Sequence, residues 1–355
     1  MPGPSYDRFG LTSNPFRELA SESLDDIEVY HVNLDVDRSL ESIKEEVLAK
    51  ENRAFVALVG LHGAGKTERL LVAQAEAKER NAFCVYFDIT TKTTWVTKGI
   101  AYAIDKSAKL GGFQRVFSSP KWFRDVVALE KIRDTGYDPV KSGRALAEAL
   151  NANAPAFLLL NDLHNIASSA ELQIFSKTLQ ELVDTIRPGV LVMFGAFPSF
   201  MLQLATDQPP LSSRINRTLL LPRVSNEEAS LLVAKKLLAK RLVDGLDPLF
   251  PFDPGAIARL NQLSVGNPRR LLEMCDVALE YAAVHRSYRI DVEIVRSAIM
   301  ERQVKDIQSM VENRIDPWEE EGAPPVVRPK DPSTSPPTVT GGGAPPAPPP
   351  APLVR

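Results

Sequence analysis

The chain of 355 residues is 44% hydrophobic and 25% charged, and its formal net charge is −3. This balance is ordinary for a soluble globular protein, and the length allows one large core or two compact units. The net charge shows no overall basic excess that would indicate nucleic-acid binding. A local basic face remains possible, because net charge does not describe how the charges are distributed. Both cysteines, Cys84 and Cys275, lie in apolar segments, so neither a disulfide framework nor a cysteine-based metal site is indicated.

The sequence carries no sign of a secreted or membrane protein. Its first residues lack the basic start and the apolar core of a signal peptide, and no apolar run is long enough to span a bilayer. We therefore expect a cytoplasmic protein without membrane insertion.

Helix and strand patterns alternate along most of the chain. A turn-rich N-terminal segment, residues 1–34, carries Phe9 and Phe16, which we expect to anchor it to a core. Apolar residues then repeat at helical spacing over residues 35–50. Strands alternating with helices predict an α/β three-layer base, residues 35–222, with a parallel five-stranded sheet. The strands are predicted at residues 54–59, 83–89, 155–160, 190–194 and 217–221, and the later helices at residues 68–78, 93–110, 140–151 and 168–186.

The character of the sequence changes after the fifth strand. Residues 223–305 show helical periodicity without a clear strand, which predicts an all-α lid. Residues 306–355 form a linker and a tail rich in proline, which cannot bury enough apolar surface to fold. We expect this tail to be disordered and to serve either as a solubilising linker or as a docking segment for a protein partner.

The segment with the clearest chemistry is Gly60–Thr67, which matches the G-x-x-x-x-G-K-[ST] phosphate-binding loop, or P-loop, at every required position. It lies between a predicted strand and a predicted amphipathic helix, as this loop requires. Its glycines let consecutive N–H groups and a helix N-terminus converge on an anion. Lys66 can reach the β- and γ-phosphates, and the Thr67 hydroxyl can bind Mg²⁺. The sequence thus predicts ATP or ADP with Mg²⁺ as ligands, held by Gly60, Gly63, Ala64, Gly65, Lys66, Thr67 and Glu68.

A second phosphate-site motif is expected at the end of the third strand. The apolar residues 156–160 lead there into Asn161 and Asp162. In such a motif one acid holds the metal through water, and the next acid polarises the attacking water.

Several motifs resemble one group of AAA+ ATPases. The run from Asn161 to Ile166 resembles that group's Asp-Glu-Ala-His-Asn-Leu stretch, and Phe9 to Phe16 is similar to its opening motif. The group contains secretion-type ATPases, transposition-regulator ATPases and origin-recognition or helicase-loader relatives. Further resemblances extend the similarity over residues 9–305: sensor 1 at Phe194-Gly195-Ala196, the arginine-finger box at residues 211–215 and sensor 2 at residues 266–272.

The resemblance places Asn161 at the position of the metal-binding Asp and Asp162 at that of the catalytic Glu. A shift of one residue instead gives Asp162 the metal role and leaves Leu163 where the base belongs. Either alignment implies slow hydrolysis, because Asn is neutral and Asp is shorter than Glu. We therefore expect Thr67, Asn161 and Asp162 to bind the metal in a nucleotide-dependent switch rather than in a vigorous ATPase.

The resemblance also assigns roles to two arginines, which join Asp162 in the predicted catalytic set. Arg214 is expected to act as an arginine finger on the γ-phosphate of a neighbouring subunit, which implies a homo-oligomer. Its alternative role is a surface pair with an acid. Arg269 is expected to be the sensor 2 residue that couples the lid to the γ-phosphate. At sensor 1, Gly195 and Ala196 offer no side-chain donor.

Four further polar residues lie near these motifs. We expect His62 to be exposed to solvent, and His164 to pack or cap rather than to transfer protons. Asp88, at the end of the second strand, is interpreted as structural. Ser199 is the nearest substitute for the missing sensor 1 donor.

Three functions are compatible with these residues, two of them better supported than the third. The first, which the resemblance implies, is an ATP-binding AAA+ switch that acts on DNA-associated assemblies, as in transposition or initiation. Against it, the sequence after the lid shows no winged-helix module and no dense basic stripe with aromatic residues. The second is a protein-directed regulatory ATPase, recruited through the proline-rich tail to a secretion, signalling or cytoskeletal apparatus. A signalling NTPase of the death-effector type is a weaker third, because its extra helical and repeat domains are not recognised.

Overall fold

The computed structural model describes residues 5–17, 31–90, 96–110, 138–166 and 168–312. The proline-rich part of the predicted tail lies outside these residues. Met1–Gln303 forms one compact unit, and the site described below lies in it.

The base is built on a parallel sheet of five strands in the order β2-β3-β4-β1-β5. In β1, β3 and β4 every residue is buried, as in central strands of a parallel sheet covered on both faces. The carboxyl ends of all strands therefore meet at one edge, where α/β proteins bind their ligands. The strands are β1 (Ala54–Val59), β2 (Phe83–Asp88), β3 (Ala156–Asn161), β4 (Val190–Ala196) and β5 (Arg217–Leu220).

Helices cover both faces of the sheet and give the base its three layers. One face packs on the helices Val96–Leu110, Pro139–Ala152 and Ser169–Thr185. The other face packs on Asp35–Leu48 and on Lys66–Glu79, which follows the P-loop. The sequence thus correctly predicts the α/β fold and its parallel five-stranded sheet. Two short helices, Pro198–Asp207 and Pro209–Ser212, connect β4 to β5.

The lid that follows the fifth strand is helical, and it has a core of its own. Phe9 and Phe16 are fully buried in this core. The N-terminal segment is held there by the backbone of Leu11, which pairs with Arg241, and by Asn14, whose amide donates to Asp276 over 2.7 Å. The lid helices are Asn226–Ala239, Pro254–Leu263, Pro268–Val284 and Val292–Glu312.

Capping residues explain where several of these helices begin. Ser168 accepts a hydrogen bond from the Glu171 N–H. Ser225 and Glu228 form a reciprocal capping box at the start of the first lid helix, as the sequence Ser-x-x-Glu predicts. Within the described residues, no helix is sufficiently long and apolar to cross a membrane.

Candidate nucleotide-binding site

A cavity of about 660 Å³ lies between the P-loop, the carboxyl ends of β2 and β3, and the lid. This volume falls in the range of ordinary ligand sites, roughly 300–1,000 Å³. Most of the predicted site residues line it: Gly63, Gly65, Lys66, Thr67, Glu68, Asn161, Asp162 and Arg269. Gly60, Ala64 and Arg214 are not among its lining residues.

The P-loop has the backbone that its sequence predicts. Gly63 and Gly65 have φ values of +75° and +90°, a region that L-residues with a side chain rarely adopt. Gly65 caps the helix that begins at Lys66. The N–H groups of the first helical turn have no acceptor within the helix, so they are available to an anion at this point.

Lys66 is buried within the loop it belongs to. Its ammonium donates to the carbonyl oxygens of Gly60 and Leu61, over 2.9 and 3.0 Å. The same nitrogen lies 4.4 Å from the ring centre of Phe197. Burial lowers the pKa of Lys66, while the Asp162 carboxylate opposes this effect. The lysine is thus a desolvated cation held at the wall of the cavity.

Polar side chains from three elements meet at the strand ends. The Thr67 hydroxyl donates to Oδ1 of Asn161 over 3.1 Å. Nδ2 of Asn161 donates to Asp88 over 2.9 Å and to Asp162 over 3.3 Å. This contact places Asn161 beside the Thr67 hydroxyl, and its metal role stays a prediction. Leu163, which the shifted alignment would put at the base position, is 1% exposed within the hydrophobic core.

Asp162 and its neighbours form one wall of the cavity. Asp162 has a left-handed backbone, with φ of 54°, and it begins a short turn of 3-10 helix, Leu163–Asn165. The ring centre of His164 lies 3.9 Å from that of Phe197, so His164 packs, in line with the structural role expected for it. Partial burial lowers the pKa of His164, and the charge of Asp162 opposes this shift.

The lid touches the P-loop directly. The Asn267 amide donates to the carbonyl oxygen of His62 over 2.7 Å, and the Arg269 N–H donates to that of Gly63 over 3.3 Å. A Cβ added at Gly63 would lie only 2.6 Å from Cβ of Arg269. The Arg269 side chain lines the cavity and pairs with Glu273 over 3.2 Å. The His62 side chain is exposed, as the sequence predicts.

Arg214 does not line the cavity, whereas the sensor 1 segment packs against the P-loop. The Arg214 guanidinium contacts both carboxylate oxygens of Asp184, at 2.7 and 2.8 Å, so the alternative role of a pair with an acid is observed. A Cβ added at Gly195 would lie 3.4 Å from Cβ of Lys66, so this strand end packs closely on the loop. Ser199 is exposed and is not among the residues that line the cavity.

A contact that the sequence did not suggest joins residue 31 to the P-loop helix. Nδ1 of His31 lies 2.8 Å from Oε1 of Glu68, which lines the cavity. Burial alone lowers the pKa of His31, but the hydrogen bond and charge of Glu68 and the charge of Asp37 outweigh it, so the pKa is raised. Arg69, also buried, pairs with Asp37 over 2.8 Å. Phe197, which lines the cavity, and His31, which contacts it through Glu68, were thus not singled out by the sequence motifs.

Comparison with known proteins supports the fold more than any activity. No protein-family model matches the chain. Over 128 residues it is 27% identical to an uncharacterized HTH-type transcriptional regulator of Methanocaldococcus jannaschii, a match that covers 36% of this chain and 30% of that protein.

Solved structures resemble most of the chain. The Aeropyrum pernix ORC1 protein in complex with DNA has a TM-score of 0.51 at 16% identity, and it covers 84% of this chain and 72% of its own. The Cdc6p protein of Pyrobaculum aerophilum has a TM-score of 0.52 at 15% identity, with 82% and 71% covered. The described part of the chain therefore has the α/β P-loop fold of the AAA+ ATPases.

Proposed function

We propose that this chain binds ATP and Mg²⁺ between its base and its lid, and that it works as a nucleotide-dependent switch with slow hydrolysis. One observation carries the proposal, namely the direct contact of the P-loop with the lid at Gly63 and Arg269. The P-loop, whose sequence is suited to bind phosphate, thus contacts the lid. A change in the lid can therefore report whether a nucleotide is bound. A ligand that interacts differently with two arrangements of this contact shifts their populations.

The P-loop supplies the grip on the phosphates. Lys66 donates to two neutral carbonyl oxygens, of Gly60 and Leu61. A phosphate oxygen is a stronger acceptor for an ammonium than a neutral carbonyl, because the hydrogen bond is charge-assisted on both sides. The N–H groups at the start of the helix Lys66–Glu79 complete an anion site.

The residues at the strand ends fit Mg²⁺. The Thr67 hydroxyl, the carbonyl oxygen of Asn161 and the carboxylates of Asp88 and Asp162 are all hard oxygen donors. Mg²⁺ prefers such ligands and usually keeps several waters in protein sites. When bound, the ion neutralises part of the phosphate charge.

The same residues explain why hydrolysis is expected to be slow. Asn161 is neutral, and the Asp162 carboxylate, at the base position, stands one methylene closer to the backbone than a Glu would. Gly195 and Ala196, at the end of β4, bring no side-chain donor to the γ-phosphate. Binding depends on the P-loop and is not weakened by these departures.

We keep the role of sensor 2 for Arg269 and that of an arginine finger for Arg214 as parts of the proposal. The pair of Arg269 with Glu273 is nearly half exposed, at 43% and 46%, and such pairs contribute only about 0–1 kcal/mol. Arg269 can therefore exchange Glu273 for a phosphate at low cost. Arg214 would have to leave Asp184 to act on a neighbouring subunit, so its finger role depends on a homo-oligomer.

The site of action that we propose is a DNA-associated assembly. This rests on the shared fold with a protein whose structure was solved in complex with DNA. A protein-directed regulatory ATPase is the alternative, and it would need no DNA. Because phosphate contacts release counterions, genuine DNA binding has to weaken as the salt concentration rises.

Nucleotide binding is tested first with wild type and Lys66→Ala. Titration of both with ATP in the presence of Mg²⁺ should show the affinity of Lys66→Ala reduced by at least about tenfold, or ~1.4 kcal/mol. Lys141→Ala is the matched control, because Lys141 is exposed and does not line the cavity. Equal affinity of wild type and Lys66→Ala would refute the assignment of the P-loop.

The site of action is tested by titrating DNA against the protein with ATP, with ADP and without nucleotide, at several salt concentrations. Binding that depends on nucleotide and weakens with salt supports the DNA-associated function. No binding under any of these conditions supports the protein-directed alternative. The size distribution of the protein under the same nucleotide conditions tests the homo-oligomer.

A further inference from the structure

Asp88 is an acid of the cavity wall that the P-loop motifs leave without a role. It is the last residue of β2, and in the parallel register it lies directly beside Asn161, the last residue of β3. Its carboxylate accepts a hydrogen bond from the Asn161 amide over 2.9 Å. Since adjacent strands are about 4.8 Å apart, Asp88 places a negative charge one strand away from the position where the motif requires one.

The hydrogen bonds fix the orientation of the Asn161 amide. Its oxygen faces the Thr67 hydroxyl, and its NH₂ group faces the carboxylates of Asp88 and Asp162. The reverse orientation would direct the amide oxygen at two carboxylates, neither of which can donate when ionised. An aspartate at position 161 would face the same two acids and would repel them. The neutral amide at position 161 is therefore complementary to an acid at position 88.

We propose that Asp88 supplies the carboxylate charge of the Mg²⁺ site that Asn161 lacks, so that the metal-binding function has moved from β3 to β2. This inference rests on the proposed binding of ATP with Mg²⁺. Asp88 and Asn161 both line the cavity, and Asn161 links Asp88 to the Thr67 hydroxyl through two consecutive hydrogen bonds. Because Mg²⁺ keeps several of its waters in protein sites, a carboxylate in this position can act on it through water.

The simpler role for Asp88 is structural, as a hydrogen-bond acceptor that holds Asn161 in place. Asp88→Asn separates the two roles. Asparagine keeps a carbonyl oxygen that can accept the hydrogen bond from Asn161, but it removes the charge. If Asp88 only holds Asn161 in place, Mg²⁺ binding should survive this change. If the charge of Asp88 acts on the ion, Mg²⁺ binding should weaken.

The experiment measures ATP affinity with Mg²⁺ and with EDTA, for wild type and for Asp88→Asn. In wild type, Mg²⁺ should tighten ATP binding. In Asp88→Asn this Mg²⁺-dependent gain should fall by about tenfold to a hundredfold, as for other groups that act on a metal through its shell. The affinity in EDTA should not fall, because without the metal a carboxylate beside the phosphates only repels them. Direct titration with Mn²⁺ in the presence of ATP gives a second readout that is independent of hydrolysis.

The decisive variant exchanges the two residues. Asp88→Asn combined with Asn161→Asp returns the acid to β3 and keeps one amide and one carboxylate in contact, so it should restore the Mg²⁺-dependent gain. Asp207→Asn is the control for loss of a negative charge, because Asp207 is exposed and does not line the cavity. Thermal unfolding without nucleotide checks that each variant is folded.

Each outcome bears on a different statement. If wild type binds no ATP, the proposed function itself fails. If wild type binds ATP and Mg²⁺ tightens it equally in Asp88→Asn, only the role of Asp88 is overturned. If Mg²⁺ does not tighten ATP binding to wild type, the role of Asp88 and the Mg²⁺ part of the proposed function are overturned together, while nucleotide binding by the P-loop stands. Loss of the gain in Asp162→Asn but not in Asp88→Asn would assign the charge to Asp162 instead.

Discussion

The two sides of the cavity differ in how far they keep the features of an ATPase. On the lid side, Asn267 and Arg269 contact the backbone of the P-loop at His62 and Gly63. On the side of the strand ends, the neutral amide of Asn161 donates to the Asp88 carboxylate on the neighbouring strand. Under the proposed function, the lid side senses the nucleotide, and the residues at the strand ends make hydrolysis slow. Such a division suits a switch, since a switch needs occupancy more than turnover.

The largest effect on ATP affinity is expected from a substitution at Gly63, where the P-loop contacts the lid. In Gly63→Ala the new Cβ would lie 2.6 Å from Cβ of Arg269 and would also strain a backbone with φ of +75°. Gly245→Ala is the matched control, because Gly245 has φ of +85° but nothing within 4 Å of the added Cβ. The left-handed backbone should cost both variants about 1–2 kcal/mol of stability.

Only Gly63→Ala should also lose ATP affinity, by about tenfold or more, equivalent to ~1.4 kcal/mol. Thermal unfolding and ATP titration of both variants check these two quantities separately. The same ATP affinity in Gly63→Ala and Gly245→Ala would show that the contact with the lid does not matter for binding.

A second prediction concerns the strand ends, where an Asp–Glu pair at the end of β3 should speed up ATP hydrolysis. The triple variant Asp88→Asn, Asn161→Asp, Asp162→Glu places Asp and Glu at the end of β3 and removes the acid beside them. We expect steady-state ATP hydrolysis to rise at least about tenfold, because a well-placed general base contributes ~10²–10⁴.

The double variant without Asp88→Asn serves as the control. It leaves two carboxylates in the contact that Asp88 now makes with an amide, so its gain should be smaller and its stability lower. The absence of any gain in both variants would mean that the residues at the end of β3 do not limit hydrolysis.

The sequence predicts the fold well because the fold follows from local patterns. The buried apolar runs of β1, β3 and β4 and the P-loop between β1 and its helix can be recognised within a few residues each. The resemblance of Asn161 and Asp162 to a family motif then places them near the loop. The contact of Thr67 with Asn161, 94 positions apart, agrees with that placement.

The contacts that sequence patterns could not show join residues that are distant in the chain. Asn267 and His62 are 205 positions apart, and Asp88 and Asn161 are 73 apart. From the sequence Asp88 is interpreted as structural, and only the parallel register of β2 and β3 shows that it lies beside Asn161. Phe197 belongs to no motif, and its ring meets Lys66 only because β4 ends next to the loop. Such pairs depend on strand order and on packing between layers.

A smaller effect is expected from Asn267, which serves two purposes. Its oxygen caps the helix Pro268–Val284 by accepting from the Arg270 N–H, and its NH₂ group reaches His62. Asn267→Ala loses both and should lower stability by about 1 kcal/mol. Asn267→Ser keeps a capping oxygen but lacks the NH₂ donor, so it should stay near wild-type stability.

Both Asn267 variants should bind ATP about threefold more weakly, which corresponds to one ordinary hydrogen bond. Thermal unfolding and ATP titration again separate the two effects. Weaker ATP binding in Asn267→Ala alone would show that helix capping, rather than the contact with the loop, carries the influence of Asn267.

The smallest effect should be a pH dependence that arises at His31. Its pKa is raised above the ordinary value of 6.5 because Glu68 and Asp37 outweigh burial, so the folded state holds the proton more tightly than the unfolded chain. The resulting stabilisation is fully present below pH 6.5 and is lost as the pH rises through the raised pKa. The melting temperature of wild type should therefore fall towards that of His31→Gln as the pH increases. A constant difference between wild type and His31→Gln would mean that His31 acts through packing and a neutral hydrogen bond, because only a charge contribution can disappear with the proton.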